Sequence, residues 1–459
     1  MYDVIIIGAG PCGIFTALEY KKMNPNSKII MFEKGRGLQN RVCPKRTTKK
    51  CVGCSPCNIT TGFSGAGAFS DGKLTLSTAV GGRIAEYIGE EKAMEVIGYV
   101  DDMYLSYGAD KAVYGAEEVY DKFLEYQKDL SKHDLELVYS PLRHLGTEKS
   151  FDIYKKMQQD LEDSGVDIRF SSPVENIIIE DKKIKGVISK GEEYLSDKVV
   201  VAVGREGAHW LTKLCTEKGI EKRSSTVDIG VRVETHDEIL GNINKDLYES
   251  KIIYKTKTFN DKVRTFCQNP SGIVSTEYYE DNLAVANGHS YKEKEYKTTN
   301  TNFALLVSLN LSEPFESPID YGKNIVRNAN MLSGNRVIVQ RLGDLKKGRR
   351  STHESIENCK VNATLVDAYP GDLSLALPYR VVKDLIEMFE ALDGPFKGMA
   401  SDDTLIYGVE VKFYSNEVIT DSKFRSNIEG LYFGGDGSGH TRGLMQASAN
   451  GVLIARSLV

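Results

Sequence analysis

The sequence predicts an α/β fold built around a parallel sheet, and three observations support it. The apolar, β-branched run Val4–Ile7 leads directly into Gly8-Ala9-Gly10-Pro11-Cys12-Gly13. A second apolar run, Ile29–Phe32, ends in an acid. A third, Leu431–Phe433, leads into Gly434-Gly435-Asp436-Gly437. Short, wholly apolar runs are typical of strands that a parallel sheet buries on both faces.

The first strand and its glycines predict a Rossmann-like dinucleotide site. Gly8 would make the tight turn, Gly10 would let the backbone approach a pyrophosphate, and Gly13 would let helix and strand pack closely. A helix is expected over residues 14–22, with its N-terminus facing the phosphates. A purely structural glycine turn is the alternative.

Glu33 closes this motif, because it lies twenty residues beyond Gly13 at the end of the second apolar run. An acid at this spacing is expected to bind the ribose hydroxyls. No basic pair accompanies Glu33, which disfavours a 2'-phosphate and therefore NADP at this site.

The carboxy-terminal part repeats the strand, glycine and acid order and then predicts a helix from about Leu444 to Leu458. Here the sequence resembles FAD-dependent oxidoreductases of the two-dinucleotide-binding-domain type, whose carboxy-terminal Gly-Asp segment holds the ribityl chain and pyrophosphate. The resemblance implies FAD as the cofactor. It also implies FAD-binding roles for Gly435, Asp436, Gly443 and Leu444.

The middle of the chain predicts four strands, separated by turn signals at 181–182 and 190–191: 168–170, 174–180, 184–189 and 199–203. They resemble the β-meander of the same family, which returns to the parallel sheet at Gly204. By that resemblance the backbone near Val174 would meet the adenine.

Two further segments, 62–74 and 407–414, make the resemblance closer. Together with a cysteine-rich loop, they are similar to a bacterial group called FAD-dependent or NAD(FAD)-utilizing dehydrogenases, over essentially the whole chain. More distantly, the layout is similar to geranylgeranyl reductases and aromatic hydroxylases. That group has no agreed reaction, so the resemblance leaves the substrate open.

These signals predict a discontinuous FAD-binding domain, with a helical cover over 81–144 and an α+β substrate domain over 216–404. The FAD-binding pieces are 1–80, 145–215 and 405–459. No second G-x-G-x-x-G follows a predicted strand, so a separate NAD(P)H domain is not expected. Electrons would come from transiently bound NAD(P)H, from a ferredoxin or flavodoxin, or from the substrate itself.

A glycine-rich stretch over 62–72 permits close backbone approach to a ligand. Its position after the second strand would place Gly65, Gly67 and Asp71 against the flavin ring or the pyrophosphate. A structural loop is the alternative.

The strand over 409–414 alternates, which places Glu410, Lys412 and Tyr414 on one face and apolar side chains on the other. By the family resemblance, such a strand can line the flavin cavity, so Glu410 and Lys412 are candidate catalytic residues. The alternative is a solvated outer face.

His440 and Arg442 lie between the Gly-Asp motif and the terminal helix, where related flavoproteins place the flavin N1 and O2 atoms. A positive group there would stabilise the reduced flavin, which makes both residues catalytic candidates. For His440, a surface-loop histidine is the alternative.

Four cysteines, Cys43, Cys51, Cys54 and Cys57, share fifteen residues with the spacing C-x7-C-x2-C-x2-C. The spacing resembles ferredoxin-type iron-sulfur ligands, and the same sulfurs could bind zinc. Redox-active thiols and unligated structural cysteines stay open.

Composition sets the broad class. The 459 residues carry a net charge of only −5, so nucleic-acid and anionic-membrane partners are not expected. With neither a signal sequence nor a long apolar stretch, we expect a cytoplasmic protein.

The predicted function is an FAD-dependent reductase or dehydrogenase, with hydride moving between flavin N5 and a small organic, possibly anionic, substrate at a C–C or C=C bond. The alternatives are an FAD-dependent hydroxylase and a flavin-binding electron-transfer or regulatory protein.

Overall fold

A computed structural model describes the chain except residues 45, 46, 48–51, 53, 71, 225, 248, 280, 281, 291–293 and 310–316. The chain forms two compact units. The first unit comprises residues 1–114, 140–225 and 414–459. The second unit comprises residues 115–139 and 226–413.

The first unit is built on a five-stranded parallel sheet with the strand order Leu431–Phe433, Val199–Val201, Val4–Ile7, Ile29–Phe32, Asp167–Arg169. A three-stranded antiparallel meander accompanies it: Val174–Glu180, Lys183–Ser189 and Glu192–Leu195. Shorter strands are Lys73–Thr75 with Leu142–His144, and Lys222–Arg223 with Glu417–Val418. The helices are Pro11–Met23, Ile84–Ile88, Glu90–Ser106, Thr147–Asp163, Ala208–Lys218 and Leu444–Ser457.

The apolar runs explain this sheet. All four residues of Val4–Ile7 and of Ile29–Phe32 are buried, as expected for strands covered on both faces. The meander turns where the sequence predicts, since Asp181 and Lys182 have positive φ angles of 48° and 59°. Two consecutive residues with positive φ form a tight hairpin turn that matches the strand twist.

The second unit contains an eight-stranded sheet, which the hairpin Ile273–Tyr279 and Leu283–His289 accompanies. Its strands, in spatial order, are Tyr369–Pro370, Ile338–Arg341, Leu405–Phe413, Val227–His236, Asn300–Leu309, Lys262–Asn269, Lys251–Lys255 and Leu135–Val138. Its helices are Tyr120–Ser131, Asp237–Leu247, Pro318–Ser333, Leu342–Lys346, His353–Glu357 and Tyr379–Asp393.

The two faces of this sheet differ in chemistry. Along Val227–His236, the odd positions Val227, Ile229, Val231 and Val233 belong to the apolar core with helices Asp237–Leu247 and Tyr379–Asp393. The even positions include Asp228, Arg232 and Glu234, and each of these charged residues is at most 1% exposed. A charged sheet face that is also buried is uncommon, because buried charges require partners.

The predicted fold class is confirmed: a parallel sheet with a β-meander, and a separate α+β unit. The structure draws the boundaries of its units at other positions. Helix Tyr120–Ser131 and strand Leu135–Val138, which the predicted helical cover included, are part of the second unit. Strand Leu405–Phe413 pairs with Val227–His236 in that unit, so the first unit resumes at Tyr414. Among the described residues, no helix has the length and apolar character needed to cross a bilayer.

Candidate functional site

Two glycines fix the turn that follows the first strand. Gly8 has a φ of +103°, and a Cβ there would lie 2.7 Å from the carbonyl oxygen of Ala202. A Cβ on Gly13 would lie 2.0 Å from the carbonyl oxygen of Gly8. Only glycine fits either position, so helix Pro11–Met23 starts directly against the carboxyl end of the sheet.

Four of the glycines in or beside the predicted cofactor motifs face open space. A Cβ on Gly10 or Gly204 would meet no atom within 4 Å. A Cβ on Gly65 would come no closer than 3.8 Å, to the Gly10 Cα, and one on Gly443 no closer than 3.9 Å, to the Gly81 Cα. We call Gly10, Gly65, Gly204 and Gly443 the glycine cradle. Its surface is backbone, which permits the close approach of a ligand.

Two helix N-termini begin at members of this cradle. Gly10 precedes helix Pro11–Met23 and Gly443 precedes helix Leu444–Ser457, and neither N-terminus receives a side-chain cap among the described residues. The helices cross closely, because Gly451 lies where a Cβ would be 2.2 Å from the Cys12 carbonyl oxygen. Uncapped N-terminal amides and aligned peptide dipoles favour an anionic ligand such as a pyrophosphate.

Glu33 lies at the end of the second strand and is 6% exposed. One carboxylate oxygen accepts a hydrogen bond from the Ala9 amide at 3.0 Å, and the other accepts one from the Gly35 amide at 2.8 Å. Each carboxylate oxygen can accept a further hydrogen bond. Glu33 therefore braces the glycine turn and retains acceptor capacity for a ligand hydroxyl.

The Gly-Asp segment is held from both sides. The Gly435 amide donates to Asn450 Oδ1 at 2.8 Å, and the Gly437 amide donates to the Val203 carbonyl at 2.9 Å. The Asp436 carboxylate accepts a hydrogen bond from the Thr441 hydroxyl at 2.7 Å. Arg205 Nε lies 3.7 Å from its other oxygen, Oδ2. Burial raises the pKa of Asp436.

The predicted glycine-rich stretch lies against the first glycine turn. The Ser64 amide donates to the Ala9 carbonyl at 2.7 Å, and Gly65 is next to Gly10. Gly67 begins the 3-10 turn Gly67–Phe69, and a Cβ there would lie 2.9 Å from the Tyr154 ring rather than in the cradle. Asp71, the third predicted residue of this stretch, lies outside the described residues.

Arg41, which belongs to no recognised motif, holds this stretch in place. Its guanidinium donates to the carbonyls of Asn58 at 2.9 Å, Ile59 at 2.7 Å and Phe63 at 2.5 Å. The side chain is buried, and burial lowers the pKa of Arg41 to about 10. One cation therefore organises three backbone carbonyls, a pattern without a sequence signature.

Val174 opens the meander and is buried in a core cluster that also includes Ile30 and Phe32 of the second strand. Preceding residues join it to the second strand, since the Ser172 amide donates to the Glu33 carbonyl at 2.9 Å. The predicted adenine contact at Val174 therefore lies close along the backbone to the predicted ribose acceptor.

In the second unit, Glu410 and Lys412 belong to a buried polar cluster, and the solvent-facing alternative for this strand is wrong. Arg232 and Glu410 are both fully buried, and two guanidinium nitrogens donate to the two carboxylate oxygens, each at 2.8 Å. Lys412 Nζ lies 3.1 Å from Glu410 Oε1, and its side chain is 12% exposed. Tyr414, the third predicted member of this face, belongs to the first unit.

Asparagines surround these charges. Arg232 also donates to the Cys267 carbonyl at 2.8 Å and to Asn287 Oδ1 at 3.3 Å. Asn302 Oδ1 lies 3.4 Å from the guanidinium, and Asn302 Nδ2 is buried and makes no hydrogen bond to a described group. We define the polar cluster as Arg232, Glu410, Lys412, Asn287 and Asn302. Burial by itself lowers the pKa of Lys412, but the Glu410 carboxylate outweighs it and raises this pKa above the ordinary value.

Comparison with known proteins relates the second unit to a described family. Residues 226–413, which form nearly the whole second unit, match the model of the family described as FAD-dependent protein, C-terminal domain-like. That part of the chain is therefore similar to the second domain of FAD-dependent proteins. The chain as a whole combines a parallel sheet with a separate mixed unit.

Similar proteins span almost the full length. An uncharacterised protein of Clostridium beijerinckii is 26% identical over 482 residues, which cover 99% of this chain and 80% of the relative. Formate oxidase of Aspergillus oryzae RIB40 has 12% identity and a TM-score of 0.47, with 100% of this chain and 98% of that one covered. L-proline dehydrogenase of P. horikoshii has 12% identity and a TM-score of 0.39, with 99% and 92% covered.

The described residues fit FAD. The glycine cradle offers backbone surface and two uncapped helix N-termini for a pyrophosphate, and Glu33 offers acceptors for a ribose. A Cβ at Gly10 or Gly204 would extend into open space, and Gly65 lies beside Gly10. The fit rests on residues near both ends of the chain, as the sequence predicts.

His440 is fully buried, so the surface-loop alternative is wrong. Its ring nitrogens lie 3.0 Å from the Val418 carbonyl and 3.0 Å from the Ser438 hydroxyl. Burial lowers the pKa of His440 to about 4. A neutral ring at pH 7 cannot provide the positive charge that was predicted at this position.

Arg442 is exposed, and its guanidinium stacks 3.8 Å from the centre of the Tyr414 ring. Its backbone amide donates to the Gly81 carbonyl at 2.8 Å. Gln446 fastens the same loop, since its amide donates to the carbonyls of Thr78 and Val80 at 3.1 and 2.9 Å. Gln446 and Asn450 were missed from sequence because polar residues within an apolar helix carry no specific motif.

The cysteine loop is only partly described. Cys43, Cys54 and Cys57 are free thiols, and Cys51 lies outside the described residues. Within the described part of the chain, no three His, Cys, Asp or Glu side chains are grouped as metal ligands. The predicted iron-sulfur or zinc site therefore stays a prediction.

Proposed function

We propose that this chain is an FAD-dependent reductase or dehydrogenase acting on a C–C or C=C bond of a small anionic organic substrate. The observation that carries the proposal is the polar cluster on a buried sheet face of the unit that matches the FAD-dependent family. Charges in such a position are expensive to bury, and they are typical of functional sites. When bound, FAD supplies a hydride acceptor or donor at its N5 atom.

Residues of the first unit would hold the cofactor. Gly10, with Gly8 and Gly13 shaping its turn, and the N-terminus at Leu444 would bind the pyrophosphate. Glu33 would accept from the ribose. The other proposed contacts are Gly65, Gly67, Asp71, Val174, Gly204, Gly435, Asp436 and Gly443.

Residues of the second unit would bind and orient the substrate. Lys412 presents an ammonium that Glu410 keeps protonated, so it can bind an anionic group or hold a proton at Nζ. In the first unit, Arg442 is proposed to add positive charge beside the Gly-Asp segment, where Asp436 attracts it. His440 is proposed to fix the 438–441 loop rather than to transfer a proton.

Anaerobic reduction assays test the reaction class. Purified holoprotein is mixed with NADH, NADPH, or reduced ferredoxin or flavodoxin, and flavin absorbance is followed before and after addition of a panel of unsaturated carboxylic acids. Reoxidation by one member of the panel without oxygen supports a reductase. Substrate-dependent oxygen consumption would instead indicate a hydroxylase, and reoxidation only by a protein carrier would indicate electron transfer.

Lys412→Met tests the assignment of the substrate-binding residues. We expect unchanged FAD content and a fall in substrate turnover of at least about tenfold, the loss expected for one charged hydrogen bond. Lys347→Met is the matched control, since Lys347 is a half-exposed lysine of the same unit paired with Asp402 at 2.7 Å. Equal turnover in the two variants would remove Lys412 from the site.

For the cysteine loop we propose an iron-sulfur cluster, with zinc as the second candidate. The proposal is supported by the cysteine spacing and by the free thiols of Cys43, Cys54 and Cys57. Iron, acid-labile sulfide and zinc are measured in anaerobically purified protein and in Cys54→Ser, with Cys215→Ser as a control at a buried thiol far along the chain. Absence of all three from the wild-type protein would contradict a metal site.

A further inference from the structure

We infer that the polar cluster binds a carboxylate group of the substrate, with the Lys412 ammonium as the anion ligand and Arg232 as its positioning residue. This inference rests on the proposed function and names the substrate class. Every group it uses lies within the second unit.

The charge balance of the cluster points to an anion. Arg232 and Lys412 are cations and Glu410 is their shared carboxylate, so the three together carry one excess positive charge. Asp228, the cross-strand neighbour of Lys412, is paired with Arg264 and adds no net charge. Glu277 is only half-buried, and it accepts from Asn287 at 2.8 Å. A buried excess charge is costly, and an anionic ligand removes that cost.

The hydrogen bonds of Glu410 leave N–H donors of the Lys412 ammonium available for a ligand. Arg232 occupies both carboxylate oxygens of Glu410 with a planar fork, a geometry specific to arginine. Lys412 shares only Oε1, at 3.1 Å, which uses one of its three N–H donors. Because the Arg232 guanidinium occupies Glu410, the carboxylate accepts from only one of the N–H donors of Lys412.

An unpartnered amide provides a second donor. Asn302 is fully buried, and its Nδ2 atom makes no hydrogen bond to a described group although its Oδ1 atom accepts from Arg232 and Asn269. A buried N–H without an acceptor is rare in folded proteins. Gly288 packs against the other end of this side chain, since a Cβ there would lie 2.0 Å from Asn302 Oδ1.

The size of the excess charge favours a carboxylate over a phosphate. A carboxylate carries one negative charge, which the cluster neutralises. A phosphomonoester carries about −1.5 to −2 at neutral pH and would leave uncompensated charge in the buried cluster.

Calorimetric titration of the FAD-loaded protein tests the inference with three probes: sodium succinate, inorganic phosphate and neutral succinamide. We expect succinate to bind at least about tenfold more tightly than either other probe, and Lys412→Met to lose at least about tenfold in succinate affinity. Lys412→Arg should retain binding. The surface control Lys347→Met should bind as the wild-type protein does.

Arg232→Lys tests the positioning role. Lysine keeps the charge but cannot occupy both Glu410 oxygens. Glu410 should then compete with succinate for Lys412, and succinate binding should weaken severalfold. Folding of each variant is checked by circular dichroism and FAD content. If Arg232→Lys does not fold, Glu410→Gln replaces it, since removing the competing charge should strengthen succinate binding.

Three outcomes would overturn the inference: no succinate binding to the wild-type holoprotein at tens of millimolar, equal binding by Lys412→Met, or tighter binding of phosphate or succinamide. Failure of the proposed function looks different. In that case succinate would bind through Lys412, but no unsaturated acid would reoxidise the flavin in the anaerobic assay.

Discussion

Glu33 has two functions at the residue level, one in the fold and one proposed for FAD. Its carboxylate accepts from the amides of Ala9 and Gly35. We expect Glu33→Ala to weaken FAD binding roughly 10- to 150-fold, because a charged hydrogen bond contributes about 1.5 to 3 kcal/mol. The free energy of unfolding of the apoprotein should fall by about 1 to 3 kcal/mol, since two buried N–H groups lose their acceptor. Fluorescence titration and urea unfolding measure the two effects.

Glu19→Ala is the matched control for this prediction. Glu19 is another buried glutamate of the first unit, and its carboxylate accepts from Tyr99 at 2.6 Å and Arg456 at 2.8 Å. We expect this variant to lose stability while its FAD affinity stays within about twofold of wild type. A similar loss of FAD affinity in both variants would show that Glu33 has a structural role only.

His440 predicts a pH dependence of stability. Burial lowers its pKa to about 4, against about 6.5 in the unfolded chain, so between these values only the unfolded state binds the proton. Stability from this group is therefore lost as the pH falls. Between pH 7 and 4.5 the wild-type protein should lose about 2 to 3 kcal/mol more than His440→Gln, measured by urea unfolding at each pH. Parallel pH profiles of the two proteins would mean that His440 titrates normally in the folded state.

Glycines at helix ends and at helix crossings should respond differently to one methyl group. Gly10→Ala enters open space and has an unstrained φ of −80°, so stability should change by no more than about 0.5 kcal/mol. FAD affinity should nevertheless fall at least about tenfold, because the methyl group occupies the proposed pyrophosphate position.

Gly451→Ala should behave in the opposite way. Helix propensity alone favours alanine by about 1 kcal/mol, but its Cβ would lie 2.2 Å from the Cys12 carbonyl oxygen. We expect a net loss of about 1 to 3 kcal/mol in the free energy of unfolding, because the two helices must separate. A thermal melt of the apoprotein shows whether stability falls or rises. A higher melting temperature in Gly451→Ala would contradict the close crossing of the two helices.

Much of the element structure could be predicted, because apolar runs and glycine positions are local signals. The predicted strands 174–180 and 199–203 and the helix from 444 correspond to elements of the structure within a few residues. Strand Glu192–Leu195 was missed, since a short and largely exposed run lacks the apolar pattern. The Arg41 contacts were missed for another reason: backbone carbonyls of an irregular segment have no side-chain signature.

At the scale of the whole molecule, the second unit needs both of its chain segments. Strand Leu135–Val138 pairs with Lys251–Lys255 at the sheet edge, and Phe123 and Leu130 of helix Tyr120–Ser131 belong to the core. Residues 226–413 alone should therefore expose a strand edge and apolar surface, and associate or unfold. Fusing residues 115–139 to this fragment should restore a cooperative urea transition.

Circular dichroism and size-exclusion chromatography check this expectation. A fusion of residues 84–106, which are helices of the first unit, is the matched control and should not rescue the fragment. Full stability of 226–413 without any addition would contradict it.

The polar cluster shows the limit of prediction at this scale. Alternation along 409–414 correctly placed Glu410 and Lys412 on one face, because strand periodicity is local. Arg232, their principal partner, lies 178 residues away from Glu410 in the chain. Only the register between Val227–His236 and Leu405–Phe413 brings them together, and register depends on the whole sheet.

The close contact between Cys12 and Gly451 has a consequence for biosynthesis. Thr16 Oγ1 also reaches the Gly451 carbonyl at 3.2 Å, across 435 residues of sequence. Helix Pro11–Met23 is made early in translation, but its partner helix Leu444–Ser457 is complete only when residue 457 has been translated. The two helices therefore cannot pack together before that point. Cofactor loading is then a post-translational event, and nascent chains stalled before residue 444 should emerge without flavin and depend on chaperones.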